Sequence, residues 1–237
     1  MIADKTWLLT LVHPKYKLNS ECLYLSWIGK HFKMQASIEK KMVVRYYSLF
    51  FTNIHSWKTE MGIHGGENFA REEGSIQVIY KDHGNGTMTK HMSGMEIGMS
   101  ISIALPFGPG LSAGDLNGHY VGVVAGTGIV PLIDLVYWMY RNRDSLTFTF
   151  TMVTKCSSWK EYYIKDLLDA TEEALGGAFG VTYCNSDSGV DLGTVIKEVK
   201  GEEPKLVWVC GPSNFNRFVI DSLLKEPEYP RHQIINF

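Results

Sequence analysis

Residues 121–141, Val-Gly-Val-Val-Ala-Gly-Thr-Gly-Ile-Val-Pro-Leu-Ile-Asp-Leu-Val-Tyr-Trp-Met-Tyr-Arg, change hydrophobic period part-way along. Val121 to Ala125 is a short apolar run rich in β-branched residues, whereas from Pro131 onward Leu132, Leu135, Val136 and Met139 recur at helical spacing. The stretch reads as strand, glycine turn, helix. Gly126 and Gly128 permit a tight turn and a close approach of backbone to a ligand, and Pro131 suits a first helical turn whose amides have no intrahelical partner. Such a turn can hold a phosphate-bearing cofactor. It can equally be an ordinary βα connection with glycines chosen for packing, and the dinucleotide fingerprint G-x-G-x-x-G fails at its third glycine, where Pro131 stands.

Composition removes several function classes. The chain has 237 residues, 45% of them hydrophobic and 12% aromatic, enough for one large or two ordinary buried cores. Its net charge of −2, with no basic run longer than Lys40-Lys41, leaves no electrostatic footprint for nucleic acid. Cys22, Cys156, Cys184 and Cys210 form no C-x-x-C pair, and the histidines no H-E-x-x-H pair. Neither a metal site nor a disulfide framework is therefore expected, and a reducing, intracellular compartment is, cytoplasmic or mitochondrial. The most apolar window, 121–140, is interrupted by glycines, Pro131 and Asp134, so no transmembrane segment is expected. The amino terminus carries no secretory signal pattern.

Taken in order, the first half offers short apolar, β-branched runs at 7–12, 22–25, 32–37, 42–47, 75–80 and 100–105. Six strands without a long helix predict a small antiparallel barrel. Residues 53–73 are polar, carry three glycines and show no period, so they read as a surface loop, while 87–93 has room for a short helix. After the glycine-rich 108–118 the rhythm becomes strand and helix in alternation, the pattern of a parallel sheet with crossover helices. Strands are expected at 121–125, 146–153, 179–183, 206–210 and 233–236, and helices at 131–141, 160–175, 191–200 and 214–224. The predicted architecture is β followed by α/β, with a barrel domain over 1–113 and a Rossmann-like parallel-sheet domain over 114–237.

In an open parallel sheet ligands lie outside the carboxyl ends of the strands. Two such ends draw notice, the turn at Gly126 and the end at Cys210-Gly211-Pro212, where a thiol closes an apolar strand before a helix. In the barrel half Arg45-Tyr46-Tyr47-Ser48 sets a guanidinium, aromatic rings and a hydroxyl on one strand, with Arg45 and Tyr47 on the same face. Each alone also fits a packing role.

Together these segments resemble the flavin-and-pyridine-nucleotide reductases of the ferredoxin reductase superfamily, most closely the NADH–cytochrome-b5 reductases. Met42 to Ser48 is similar to the approach to the flavin motif R-x-Y-[ST], and Gly74 through Lys81 to Gly86-Thr87-Met88-Thr89 is similar to the stretch ending in G-K-M-S. Ala125 to Pro131 resembles G-G-T-G-I-x-P, Cys210-Gly211-Pro212 resembles C-G-P, and the chain ends on the aromatic Phe237. The resemblance implies FAD on the barrel and NADH or NADPH on the second domain, meeting in a cleft. It assigns Arg45 to the FAD pyrophosphate, Tyr46 and Tyr47 to the flavin's surroundings, and Ser48 to a hydrogen bond near flavin N5. Lys81, His83, Gly86, Thr87, Met88 and Thr89 complete the FAD site. On the nucleotide side Gly126, Thr127 and Gly128 form the turn, and Cys210, Gly211 and Pro212 lie beside the nicotinamide. Ser48, Thr127, Cys210 and Phe237 are the residues implied at the reacting centre, and no metal is implied.

This sequence departs from the pattern at Leu105, Thr87, His83 and Ala125, and the family's ribose-binding acid aligns with Ser186, beside Asp187. NADH and NADPH both remain open. The implied activity is hydride transfer to FAD and onward electron transfer to a haem or iron–sulfur protein or a quinone. The rival reading is an accessory subunit of a larger, even respiratory, assembly, peripherally held at a membrane and keeping the fold without turnover.

Overall fold

The computed structural model describes residues 5–12, 27–63, 75–104, 106–108, 110–111, 116–157, 164–185, 188–225 and 229–236. Strands β1 (Thr6–Val12), β2 (His31–Ile38), β3 (Lys41–Phe50), β4 (Ser75–Lys81) and β5 (Ser102–Ile103) make an antiparallel sheet in the order β1-β4-β3-β2-β5. β2 and β3 are a hairpin with His31 opposite Ser48 and Ile38 opposite Lys41. Its two turn residues, Glu39 and Lys40, both have positive φ, 51° and 64°, the conformation that matches the right-handed twist of the flanking strands. β3 then leaves β2 and pairs through Leu49 and Phe50 with β4, which curls the sheet. Five of the six expected strands are present here; the sixth, 22–25, falls outside the described residues.

The expected loop at 53–73 is corrected over its first part. Ile54–Glu60 is a helix, α1, whose cap residue Asn53 accepts from the amides of His55 and Ser56 at 3.0 and 3.1 Å. Only Ile54 and Trp57 turn inward, and Trp57 is completely buried. Two apolar residues three apart do not establish a period, which is why the helix leaves so faint a pattern. The expected short helix at 87–93 is α2 (Thr87–Ser93).

The second half is a parallel sheet of β6 (Gly118–Ala125), β7 (Phe148–Lys155), β8 (Phe179–Cys184), β9 (Leu206–Cys210) and β10 (Ile234–Asn236), ordered β10-β9-β6-β7-β8. Helices α3 (Val130–Arg141), α4 (Lys165–Leu175), α5 (Leu192–Gly201) and α6 (Ser213–Leu223) cover it. Because β6 is first in sequence and central in space, the chain winds outward one way through β7 and β8 and the other way through β9 and β10. The switch lies between β6 and β9, so a crevice opens at their carboxyl ends. No helix among the described residues is long and apolar enough to cross a membrane.

Helix α3 is apolar on nearly every side, with Val130, Leu132, Ile133, Leu135, Val136 and Met139 buried, because it is wedged between the parallel sheet and the antiparallel half. Gly122 makes room for it on the sheet side, since a Cβ there would lie 2.6 Å from a Leu132 methyl. On the other side stands one charged residue, Asp134, 2% exposed. Its carboxylate accepts from the amides of Phe51 (3.1 Å) and Thr52 (2.9 Å) and from the Thr52 hydroxyl (2.6 Å). Nearby, Trp57 packs on Tyr137 with ring centroids 5.3 Å apart, and Glu60 accepts from Tyr137 and Arg141 at 3.2 Å. Asp134→Ala would remove the acceptor of these three buried hydrogen bonds, and losing the partner of a buried donor costs about 1–3 kcal/mol. We expect it to lower unfolding free energy by about 3 kcal/mol or more in urea titrations, and a loss under about 1 kcal/mol would show that the two halves do not depend on this carboxylate.

Candidate active site

The crevice at the sheet switch faces β3 and β4, and the two walls enclose a cleft of about 930 Å³. On the sheet side β6 passes into a single 3₁₀ turn, Gly126–Ile129, before α3. Gly126 has φ +55°, and nothing lies within 4 Å of where its Cβ would be, so its backbone is open to the cleft. Gly128 is needed for a different reason. A Cβ there would overlap the carbonyl oxygen of Cys210 and lie 2.6 Å from its carbon. The close approach expected of these glycines is thus, at Gly128, an approach to the chain's own backbone, and it clamps the end of β6 to the end of β9. Gly211 completes the clamp, since a Cβ there would meet Phe215 at 2.7 Å.

On the barrel side, Ser48 and His31, opposite each other in the hairpin, share a hydrogen bond of 3.2 Å between Oγ and Nδ1. Burial holds His31 below the usual histidine pKa, so its ring is neutral at pH 7. Burial pushes the Tyr47 phenol up to about 12, against the opposing pull of the Arg45 guanidinium, with a smaller push from Tyr80. Tyr46, 62% exposed, and Phe107 meet edge to face at 5.2 Å on the rim.

The cleft brings together most of the residues singled out in sequence. Tyr46, Tyr47, Ser48, Lys81, His83 and Thr89 line it from the barrel. Gly126, Thr127, Gly128, Cys210, Gly211 and Pro212 line it from the sheet. Four others do not line it. Arg45 is exposed and its guanidinium donates to the Val44 carbonyl at 2.7 Å, whereas Gly86 and Thr87 begin α2 behind Thr89. Met88 is 1% exposed with its side chain in the barrel core, so only its amide is left to face a ligand. Phe237, Ser186, Asp187 and Leu105 lie outside the described residues.

Sequence reading passed over His31, Phe107, Lys155, Ser157 and Phe215, which also form the walls. His31 was recoverable from the hairpin register. Lys155 and Ser157 carry no local signal, because it is the parallel pairing of Lys155 with Ala125 that carries β7 to the cleft. The lining includes Lys81 and Lys155 and no aspartate or glutamate among the described residues, so the cleft is built for an anion. The Cys210 thiol is pushed up to about 12 by burial. At neutral pH it is a thiol, unsuited to nucleophilic attack.

Residues 14–110 match the family described as oxidoreductase FAD-binding domain. NADH-cytochrome b5 reductase 2 of Botryotinia fuckeliana is 25% identical over 194 residues, covering 70% of this chain and 54% of that protein. NADH-cytochrome b5 reductase 1 of Laccaria bicolor is 24% identical over 199 residues, 78% of this chain and 58% of that protein. The chain therefore spans a little over half the length of these curated relatives. Over that stretch it is similar to the cytochrome b5 reductases. Its fold superposes on the CS-b5R domains of human Ncb5or in the NAD+ form, with a TM-score of 0.74 at 15% identity, covering 100% of this chain and 66% of that one. A ferredoxin NADP+ reductase from Neisseria gonorrhoeae with bound FAD and NADP gives 0.71 at 16%, covering 98% and 92%. The architecture is the antiparallel-plus-parallel fold of the ferredoxin reductases.

Two measurements check this geometry. Gly126→Ala places an ordinary side chain at positive φ in open space and should cost about 1 kcal/mol, whereas Gly128→Ala must push β6 and β9 apart and should cost about 3 kcal/mol or more in urea titrations. Equal losses would mean that the clamp is not rigid. Alkylation of Cys210 by iodoacetamide, followed by peptide mass mapping of the folded chain, should be very slow at pH 8, where a thiol of pKa about 12 is ionised roughly once in ten thousand. The rate should climb about tenfold per pH unit, and stability linked to this thiol, present below about pH 9, is lost as pH rises from 9 toward 12. Fast alkylation near neutrality would contradict the half-buried, uncharged thiol.

Proposed function

We propose that this chain is an FAD-dependent reductase that takes hydride from NADH or NADPH and passes electrons to an acceptor protein. The observation that carries the reading is that Tyr47 and Ser48 on one wall, and the Gly126 turn and Cys210 on the other, face a single cleft whose described lining contains lysines and no carboxylate. The residues present suit the two cofactors. Tyr47 offers an uncharged ring, Ser48 a hydroxyl, and Lys81, His83 and Thr89 a polar edge for FAD; Gly126 offers an open backbone for the nucleotide. Arg45 reaches a diphosphate from the rim once it exchanges the Val44 carbonyl for a phosphate oxygen.

FAD, when bound, would supply an acceptor for one hydride, that is two electrons with one proton, and a means of passing the two electrons on singly. The protein's part is alignment and proton management. The Ser48–His31 pair holds an exchangeable proton between Oγ and Nδ1 beside the cleft, and the neutral state of His31 lets the ring take one up. Thr127 and the un-ionised Cys210 shape the nicotinamide side, with Cys210 positioning the ring rather than bonding to it. Phe237 we assign to the reacting centre, on the resemblance alone, and the domain boundary to residues 113 and 114. The relatives' printed name, cytochrome b5 reductase, favours a haem protein as acceptor over an iron–sulfur protein or a quinone. The scattered cysteines, without a C-x-x-C pair in the sequence, favour an intracellular site, cytoplasmic or mitochondrial.

Spectra of the purified chain test the proposal. We expect flavin absorption bands that bleach on anaerobic addition of NADH or NADPH, and loss of FAD in Arg45→Ala, where about 1.5–3 kcal/mol per charge-assisted bond disappears. A chain that carries FAD yet is reduced by neither nucleotide would make the accessory-subunit reading the better one.

A further inference from the structure

Apart from the turn amides, the parallel-sheet half contributes one fixed charge to the cleft among the described residues, Lys155. It is the last residue of β7 and lies in register with Ala125, immediately before the open backbone of Gly126, and with Cys184 on the other side. Its side chain is half-buried and makes no ion pair with any described residue; the nearest electrostatic effect of its charge is felt at the Cys184 thiol, which is not ionised. A lysine on a ligand wall whose described lining holds no carboxylate has its ammonium available to an anion that enters the cleft. The adjoining turn leads into α3, whose first turn has neither a side-chain cap nor an acidic residue. Backbone amides and an ammonium therefore converge on the same part of the cleft.

We infer that Lys155 binds a phosphate of the nicotinamide nucleotide and is a positioning residue for that ligand. This rests on the reductase reading above. Lys81 and His83 stand on the barrel wall, so the charge for the nucleotide is separate from the charge available to FAD. Two phosphate sources share the chemistry, the pyrophosphate common to NADH and NADPH and the 2′-phosphate of NADPH alone.

Isothermal calorimetry on the FAD-loaded chain, with ADP-ribose and 2′-phospho-ADP-ribose as redox-silent probes, separates them. Lys155→Gln should weaken binding by about tenfold or more, as expected for loss of a charge-assisted phosphate contact, with FAD content and melting temperature unchanged, and Lys155→Arg should restore most of it. Equal weakening of both probes assigns Lys155 to the pyrophosphate, and weakening confined to the second assigns it to the 2′-phosphate. In stopped-flow reduction the same change should appear in the nucleotide concentration needed for half-saturation, with the limiting rate preserved. Unchanged affinity for both probes in Lys155→Gln, or failure of Lys155→Arg to restore it, overturns the inference while leaving the reductase reading intact. A wild-type chain that binds neither probe and is reduced by neither nucleotide defeats both.

Discussion

The cleft depends on a buried carboxylate that does not itself line it. Asp134 sits one turn into α3, and α3 begins where the Gly126 turn ends, so the helix that presents the turn to the cleft is also the helix that grips the opposite wall. Its partners, Phe51 and Thr52, follow directly on β3, the strand that carries Tyr47 and Ser48. A shift at this contact therefore moves both walls relative to each other within a few residues of the site. Burying a charge is costly unless its hydrogen bonds are all made, and here the donors are two main-chain amides and a hydroxyl with no freedom to follow a displaced helix. Apolar contacts between the halves, such as Trp57 on Tyr137, supply burial without fixing register.

Much of the fold was legible because it is written in local period. The switch from β-branched run to helical spacing at residues 121–141 gives β6, the turn and α3, and the alternation that follows gives the parallel sheet. What stayed hidden was set by distant partners. Helix α1 shows only Ile54 and Trp57 as an apolar pair, and its stability comes from packing on α3, some eighty residues further along. Gly128 read as a residue for a ligand, yet its constraint is the Cys210 carbonyl, a contact no local pattern can reveal. Lys155 lies beyond the strand expected at 146–153 and drew no notice, because its meaning arises from β6 beside it. The candidate site was found where chemistry clusters along the chain, at 45–48, 126–128 and 210–212, and missed where single residues are carried in by the sheet.

The electrostatic design follows one rule across both walls. Burial raises the Tyr47 phenol and the Cys210 thiol and lowers the His31 imidazole, and in each case the favoured form is the uncharged one. Those three side chains are uncharged at pH 7, while the lysines of the lining, Lys81 and Lys155, carry its fixed positive charge. A lining of this kind attracts an anionic ligand without setting a carboxylate against it among the described residues.

Ala125 bears most directly on whether the departures from the reductase pattern matter. A glycine is needed where φ is positive or where another atom occupies the Cβ position, and Ala125 meets neither condition. Its φ and ψ are −136° and 133°, extended values open to any residue. Its methyl faces Gly211, where a second Cβ would stand only 3.0 Å away, so the space that the extra carbon needs is left by the glycine across the clamp. The exchange of glycine for alanine at the start of the turn is thus absorbed by a neighbour on β9's exit, while Gly126, at positive φ, and Gly128, where a Cβ would overlap the Cys210 carbonyl, are both kept. Thr87, in place of a lysine, begins α2 outside the cleft lining, where Lys81 already supplies charge on the same wall. Neither substitution removes a group that the cleft requires, and the physical case for a degraded site, as distinct from a working one, loses its support at these positions.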